Sequence, residues 1–426
     1  MTTREYRQLG ELMVEEHLEN GLGIFVFPKT EYDKRFAFFA TCYGGMDTRF
    51  QWKGAWRDTP MGVAHFLEHK MFDTKDGNAL QILTANGASP NAFTGSAITG
   101  YYFEGTEAFE ENLRTLLSFV SEGYFTQESV DKEQGIIGQE IRMIEDNPNW
   151  QVYMRLMENL YGNHPVRNSV AGTRESIAKI TAETLYACHG AFYNPGNMVL
   201  CVAGDVAPHR VCEIAREILP PGGEPPIPRD YGPAEGESVH QREQEYAMEV
   251  ATPLFQLGVK LIPAEGGQAR LRQKLMGELL CEAWLGTSSP LYARLYEQGL
   301  INGSFGYGYE DEAGIAFLIA GGESRDPAAV REALLEEASR IGREGLDEAL
   351  FRRLLKAAYG NQVRALNSFE HLCVEQARGY FAGQEVWTFP VVYADLKRED
   401  VEAAIRDWIL PERVALSVIR PKGVAG

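Results

Sequence analysis

The chain has no run of eighteen apolar residues, no C-x-x-C pair and no excess of basic charge, and each absence removes a class of function. Without such a run there is no membrane-spanning helix. The six cysteines, Cys42, Cys188, Cys201, Cys212, Cys281 and Cys373, are scattered. They read as reduced, mostly buried thiols rather than a disulfide framework or a cysteine-rich metal site. Asp and Glu outnumber Lys and Arg by 60 to 41, and the net charge of −19 disfavours nucleic acid and anionic membrane surfaces as partners. No G-x-S-x-G elbow is present, which argues against a serine triad. The glycines of Gly303 to Tyr309 do not follow a nucleotide-binding layout. The first twenty residues are rich in Glu, with no apolar core and no Arg-rich character, so neither a secretory signal nor a transit peptide is expected and the setting reads as cytoplasmic.

What remains is an ordinary globular composition in a chain of 426 residues, too long for one hydrophobic core. Between Leu219 and Glu245 the sequence turns to Pro, Gly and charge, the best linker candidate in the chain. This divides it into residues 1–218, a linker at 219–244, and residues 245–426. Both sides show one order of elements. The first half reads as a strand over 36–43, helices over 62–72 and 78–85, a strand pair ending at Tyr101 to Phe103, and helices over 107–123 and 127–145. The second half repeats this with a strand over 254–261, helices over 269–284 and 290–298, a strand over 315–320, and helices over 328–343 and 347–366. The offset drifts from about 212 to about 220 residues, the mark of an internal duplication with one loop insertion. The expected fold is α+β: two homologous domains, each a mixed, mostly antiparallel β-sheet with helices on one face.

His65-Phe66-Leu67-Glu68-His69 is the segment that carries chemistry. On a helix His65, Glu68 and His69 share a face, so two imidazoles on adjacent turns stand beside a carboxylate able to handle a water proton. Two neutral imidazoles at this spacing are zinc ligands in waiting, in the inverted order H-x-x-E-H. A catalytic zinc takes a third protein ligand. The helix over 127–145 offers Glu133 and Glu140, two turns apart on one face. Glu140 is the expected ligand, and Glu133 the carboxylate that orients a histidine or the water. Taken singly, either glutamate reads as a solvated helix face. The duplication acts as a control: Gly277, Leu280 and Cys281 stand opposite His65, Glu68 and His69, while Arg353 and Gly360 stand opposite Glu133 and Glu140. The second half cannot rebuild the site. The remaining histidines lack metal spacing, and His164, before Pro165, reads as structural.

These residues resemble the pitrilysin/insulinase/mitochondrial processing peptidase superfamily, and within it the YmfH-like zinc-bearing subunits of bacteria. The resemblance rests on His65 to His69, then Gly87-Ala88-Ser89-Pro90-Asn91-Ala92-Phe93-Thr94, Glu133, Glu140, His164-Pro165, Gly172-Thr173 and Asn194-Pro195-Gly196-Asn197-Met198. It implies one Zn2+ per chain held by His65, His69 and Glu140, Glu68 as general base, and Glu133 as its supporting catalytic carboxylate. It implies that Asn91 and Ala92 lie on a strand edge that takes up extended peptide as an added strand. It also implies that each chain forms half of a clamshell. Many relatives carry an Arg and a Tyr seven residues apart in the second half; aligned on Gly299, those positions here are Leu295 and Asn302, which cannot replace them, and Arg294 is out of register. The expectation is therefore a zinc-dependent endopeptidase whose homologous, zinc-less partner subunit supplies the Arg/Tyr contacts. A homodimer is the alternative assembly, although it would not restore the missing groups. The competing reading is a non-proteolytic scaffold or peptide-binding subunit that keeps the fold, against which intact Glu68 argues.

Overall fold

The computed structural model describes residues 1–222, 226–312 and 314–423. The first half runs β1 (Thr2–Tyr6), β2 (Glu11–His17), β3 (Gly23–Pro28), β4 (Arg35–Thr41), a hairpin of β5 (Arg49–Trp52) and β6 (Ala55–Asp58), α1 (Val63–Met71), a short clip of β7 (Asp73–Thr74) and β8 (Gly77–Asn78), α2 (Ala79–Ala85), β9 (Ser89–Thr94), β10 (Thr99–Gly105), α3 (Phe109–Ser121), α4 (Gln127–Asp146), α5 (Pro148–Leu160), α6 (Arg174–Ile177), α7 (Ala182–Phe192), β11 (Met198–Gly204) and α8 (Pro208–Ile218). The second half follows with β12 (Glu243–Met248), β13 (Leu254–Leu261), α9 (Gly267–Leu285), α10 (Pro290–Glu297), β14 (Gly306–Glu312), β15 (Ile315–Glu323), α11 (Pro327–Glu344), α12 (Glu348–Ala365), α13 (Phe369–Ala382), α14 (Phe389–Asp395), α15 (Arg398–Trp408) and β16 (Val414–Pro421).

The larger sheet has the order β1-β2-β3-β11-β4-β10-β9, and the smaller the order β12-β16-β13-β15-β14. From β3 onward the two orders correspond strand for strand. Each contains one parallel pair at the same place, β3 with β11 and β12 with β16, among antiparallel neighbours. The duplication read from element order is thus present in the topology, and the fold is the expected α+β pair of mixed sheets. Central β11 is buried along its whole length, as its uninterrupted Met-Val-Leu-Cys-Val-Ala-Gly requires.

Register separates the faces. Tyr101, Phe39, Leu200 and Ile24 stand in one row across four strands and so share a face. There Tyr101 meets Phe72 and Phe119, each 5.9 Å away, beneath the helix layer of α1 and α3. The opposite face receives α13, whose Tyr380 packs on Phe25 at 5.4 Å and whose ring a Cβ at Gly23 would touch at 3.0 Å. This helix belongs to the second half of the sequence. Reciprocally, α5 of the first half covers the smaller sheet: Asn159 Nδ2 donates to the Leu416 carbonyl at 3.0 Å, and a Cβ at Gly258 would lie 2.9 Å from Leu160.

The chain accordingly forms two compact units that cut across the sequence halves. One holds the described residues of 1–141, 168–231 and 363–386, the other those of 142–167, 232–362 and 387–426. Pro/Gly-rich 219–244 is shared between them. Asp230 N donates to the Arg49 carbonyl at 3.0 Å in the first unit. In the second, Glu235 accepts from the backbone N–H of Asn163 at 2.6 Å, His164 at 2.8 Å and Gly162 at 3.3 Å, and pairs with Lys260 Nζ at 3.0 Å. Burial alone would raise the Glu235 pKa, but these N–H donors and the Lys260 ammonium outweigh it and bring it down to about 2. A depressed carboxylate pKa stabilises the fold above its unfolded value and loses that contribution as pH falls towards the folded one. Glu235→Gln should therefore cost about 2 kcal/mol in urea denaturation at pH 7, with the gap to wild type narrowing between pH 5 and pH 3. A gap that stays constant over that range would show that the carboxylate charge is not what holds this loop.

Candidate metal centre

Helix α1 is only nine residues long and buries Val63, Ala64, Phe66, Leu67, Glu68, Lys70 and Met71; His65, Glu68 and His69 share one face of it, with the two imidazoles only partly buried. Its start is fixed by two glycines far apart in sequence. Gly62 caps the helix at φ 90°, and a Cβ there would lie 2.5 Å from the Ala171 carbonyl oxygen. Gly172, at φ 74°, would bring a Cβ 2.5 Å from the Met61 carbonyl oxygen. Both positions need the left-handed region and the missing side chain. Thr173 and Ser176 then form a capping box on α6, and Ser176 Oγ donates to the Met61 carbonyl at 2.7 Å. The Gly172-Thr173 pair thus anchors the entry to α1.

Across from α1, helix α4 presents Glu133 and Glu140. Glu140 Oε1 lies 3.6 Å from His65 Nε2, and its Oε2 lies 3.7 Å from His69 Nε2. One ligand atom from each of the three residues falls within 4.8 Å of the others. Zinc bonds of about 2.1 Å at tetrahedral angles place ligand atoms roughly 3.4 Å apart, so the spacing and the donor set both fit zinc. His69 Nδ1 is 3.2 Å from Glu133 Oε1, the partner that leaves Nε2 facing Glu140. Burial lowers the His69 pKa, but the Glu133 hydrogen bond and the charges of Glu68, Glu140 and Glu133 outweigh it, and the net shift is upward. A proton therefore competes for this ring at a higher pH than for an ordinary imidazole. The Glu140 carboxyl is held below its usual range, chiefly by His65, against the opposing effect of burial. Glu68 is nearly buried, and Thr94 Oγ1 on β9 donates to its Oε2 at 2.8 Å, which fixes one of its two oxygens.

The insulinase model of peptidase family M16 matches residues 53–174, and the model described as the M16 inactive domain matches residues 179–358. The uncharacterized zinc protease YmfH of Bacillus subtilis is 38% identical over 98% of this chain and 99% of its own length. The chain belongs to peptidase family M16. The crystal structure of an M16-like peptidase from Alicyclobacillus acidocaldarius superposes with a TM-score of 0.92 at 30% identity, covering 97% of this chain and 99% of that one. The periplasmic protease PqqL of Escherichia coli shares the fold at 17% identity and a TM-score of 0.72, with 99% of this chain lying on 48% of the PqqL chain.

The other residues singled out in the sequence separate within this M16 frame. Asn91 and Ala92 lie on β9, the last strand of the larger sheet, so one flank of β9 has no strand partner among the described residues. Asn91 Oδ1 there accepts from the Ala92 N–H at 2.9 Å. Leu295 is buried in the core, and Asn302 spends its amide on Glu323 Oε2 at 2.8 Å. Arg294, the residue before Leu295 on α10, is exposed. His164 Nδ1 accepts from the Val166 N–H at 3.2 Å, a turn-forming contact. Asn197 donates to the carbonyls of Cys42 at 3.1 Å and Phe192 at 3.0 Å, so its motif ties the end of β4 to α7. All six cysteines are free thiols, five of them buried. No helix among the described residues is long and apolar enough to cross a membrane. Thr94, Lys70 and the Gly62–Gly172 approach carry no role that the sequence alone declares: Thr94 lies outside the helical period, Lys70 reads as a solvated helix charge, and the two glycines meet only in three dimensions.

Because α1 depends on that approach, Gly62→Ala should destabilise the fold by about 2 kcal/mol or more and weaken zinc uptake together with it. Thermal melts and a zinc titration on the same sample check this. An alanine variant with unchanged melting and affinity would show that α1 is placed by other contacts.

Proposed function

We propose that this chain is a zinc-dependent endopeptidase, or the catalytic subunit of one, that hydrolyses extended or unfolded peptides. The observation carrying this reading is the convergence of His65, His69 and Glu140 beside a carboxylate, Glu68, that no ligand role occupies. Relatives named zinc proteases support it. Bound zinc supplies Lewis acidity, polarising a carbonyl and making water acidic near neutral pH. The chain's own residues do the rest. Thr94 steadies one oxygen of Glu68 while the other takes a proton from the attacking water. As the C–N bond breaks, Glu68 returns that proton to the leaving amine, so the balance closes as peptide plus water giving acid and amine. Glu133 keeps the His69 ring in the tautomer that offers Nε2. The free flank of β9 at Asn91 and Ala92 would receive substrate backbone as an added strand, which selects extended chains over folded ones.

Glu68→Gln should lower peptide cleavage by at least about a hundredfold while zinc stays near one per chain. Cleavage by the variant at the wild-type rate would rule out this mechanism. A wild-type chain that binds zinc and peptide without cleaving would favour instead the scaffold reading, in which the zinc centre is structural.

Leu295 and Asn302 offer neither a guanidinium nor a phenol, and the PqqL chain is about twice as long as the segment matched here. Both support a partner of the same fold that completes the site. The purified chain alone should cleave peptides weakly, and a homologous zinc-less subunit carrying the Arg/Tyr pair should raise the rate at least tenfold in a reconstitution assay. Full activity from the single chain, unaffected by any such subunit, would contradict the two-subunit account.

A further inference from the structure

Lys70 follows the second histidine of α1, and nothing in the motif or the reaction calls for it. Its side chain is 2% exposed, among Leu67, Met71 and the other buried residues of the helix. An apolar residue would pack there without the cost of burying a charge, which is several kcal/mol unless partners offset it. Two partners are present. Nζ donates to Asp73 Oδ2 in the β7–β8 clip and lies 3.8 Å from Glu133 Oε2. The other oxygen of Glu133 is the one 3.2 Å from His69 Nδ1.

A surface ion pair with Asp73 alone does not account for this placement. Asp73 is 43% exposed, so a lysine serving only that carboxylate could keep its ammonium in water, whereas this one is sunk towards Glu133, itself 15% exposed. Glu68, Glu133 and Glu140 bring three carboxylates to the site, and Lys70 sets one positive charge on the side of Glu133 away from the histidine. A carboxylate hydrogen-bonded at one oxygen and drawn at the other towards an ammonium 3.8 Å away is restrained about its terminal torsion.

We infer that Lys70 is a positioning residue for the metal: through Glu133 it fixes the His69 ring so that Nε2 faces Glu140. This rests on the zinc reading of the site, and the experiment separates the two. Zinc affinity is measured by competition with a chromophoric chelator for wild type, Lys70→Met, Glu133→Gln and the double variant, with a melt of each apo protein as a folding control. Lys70→Met should weaken zinc about fivefold, Glu133→Gln tenfold or more, and the double variant little more than Glu133→Gln, because both act through one carboxylate. Asp73→Asn removes the other partner of Lys70 and should leave zinc affinity within about twofold of wild type. Wild-type affinity in Lys70→Met, fully multiplying effects in the double variant, or an Asp73→Asn loss equal to that of Lys70→Met would each overturn the inference. Should Lys70→Met fail to fold, Lys70→Gln, which keeps a polar tip without the charge, takes its place in each of these comparisons with the same expected and overturning results. A wild-type chain that takes up no zinc would instead refute the metal reading itself.

Discussion

Two oxygens of the Glu140 carboxylate stand 3.6 and 3.7 Å from two imidazole nitrogens, and the surroundings of α1 and α4 are organised around keeping that spacing. The candidate ligands come from α1 and α4, separated by some seventy residues of sequence. Each must be fixed by its own surroundings. At its N-terminus α1 is held by the close approach of Gly62 and Gly172, and along its length by a buried apolar stripe. Near its C-terminus it touches α4 through His69 and Lys70, both engaged by Glu133. A shift of about 1 Å in either helix would spoil the geometry, since a metal site tolerates roughly half that.

Much of the site was legible in the sequence because it obeys helical periodicity. The four-residue step from His65 to His69 and the seven-residue step from Glu133 to Glu140 each declare a shared face, and the structure brings those faces together. The rest follows no period. Thr94 lies on a strand and reaches Glu68 only because β9 passes beside α1. Lys70 looks in sequence like any solvated helix charge, and only the packing reveals that it is buried. Gly62 and Gly172 become a pair only in three dimensions.

The fold was legible to a similar depth. Strand and helix order revealed the duplication, since periodicity is a local property. Which sheet a helix covers is not local, so the exchange of α5 and α13 had no signature in either helix. The first hairpin, β1 and β2, was passed over because its strands are short, partly exposed and rich in charge.

The second half shows what the scaffold becomes without the candidate metal ligands. Gly277 stands where His65 stands in the first half, and the ring of Tyr309 packs against it so closely that a Cβ would fall 2.3 Å from the ring. The same five-strand order therefore accommodates a ligand helix in one half and plain packing in the other. The central claim, that His65, His69 and Glu140 together form the metal centre, is tested most directly by X-ray absorption at the zinc edge of the loaded chain. The account predicts a nitrogen and oxygen shell at about 2.0–2.1 Å with the multiple scattering of two imidazoles. A sulfur shell near 2.3 Å, or a scattering pattern without two imidazoles, would contradict it.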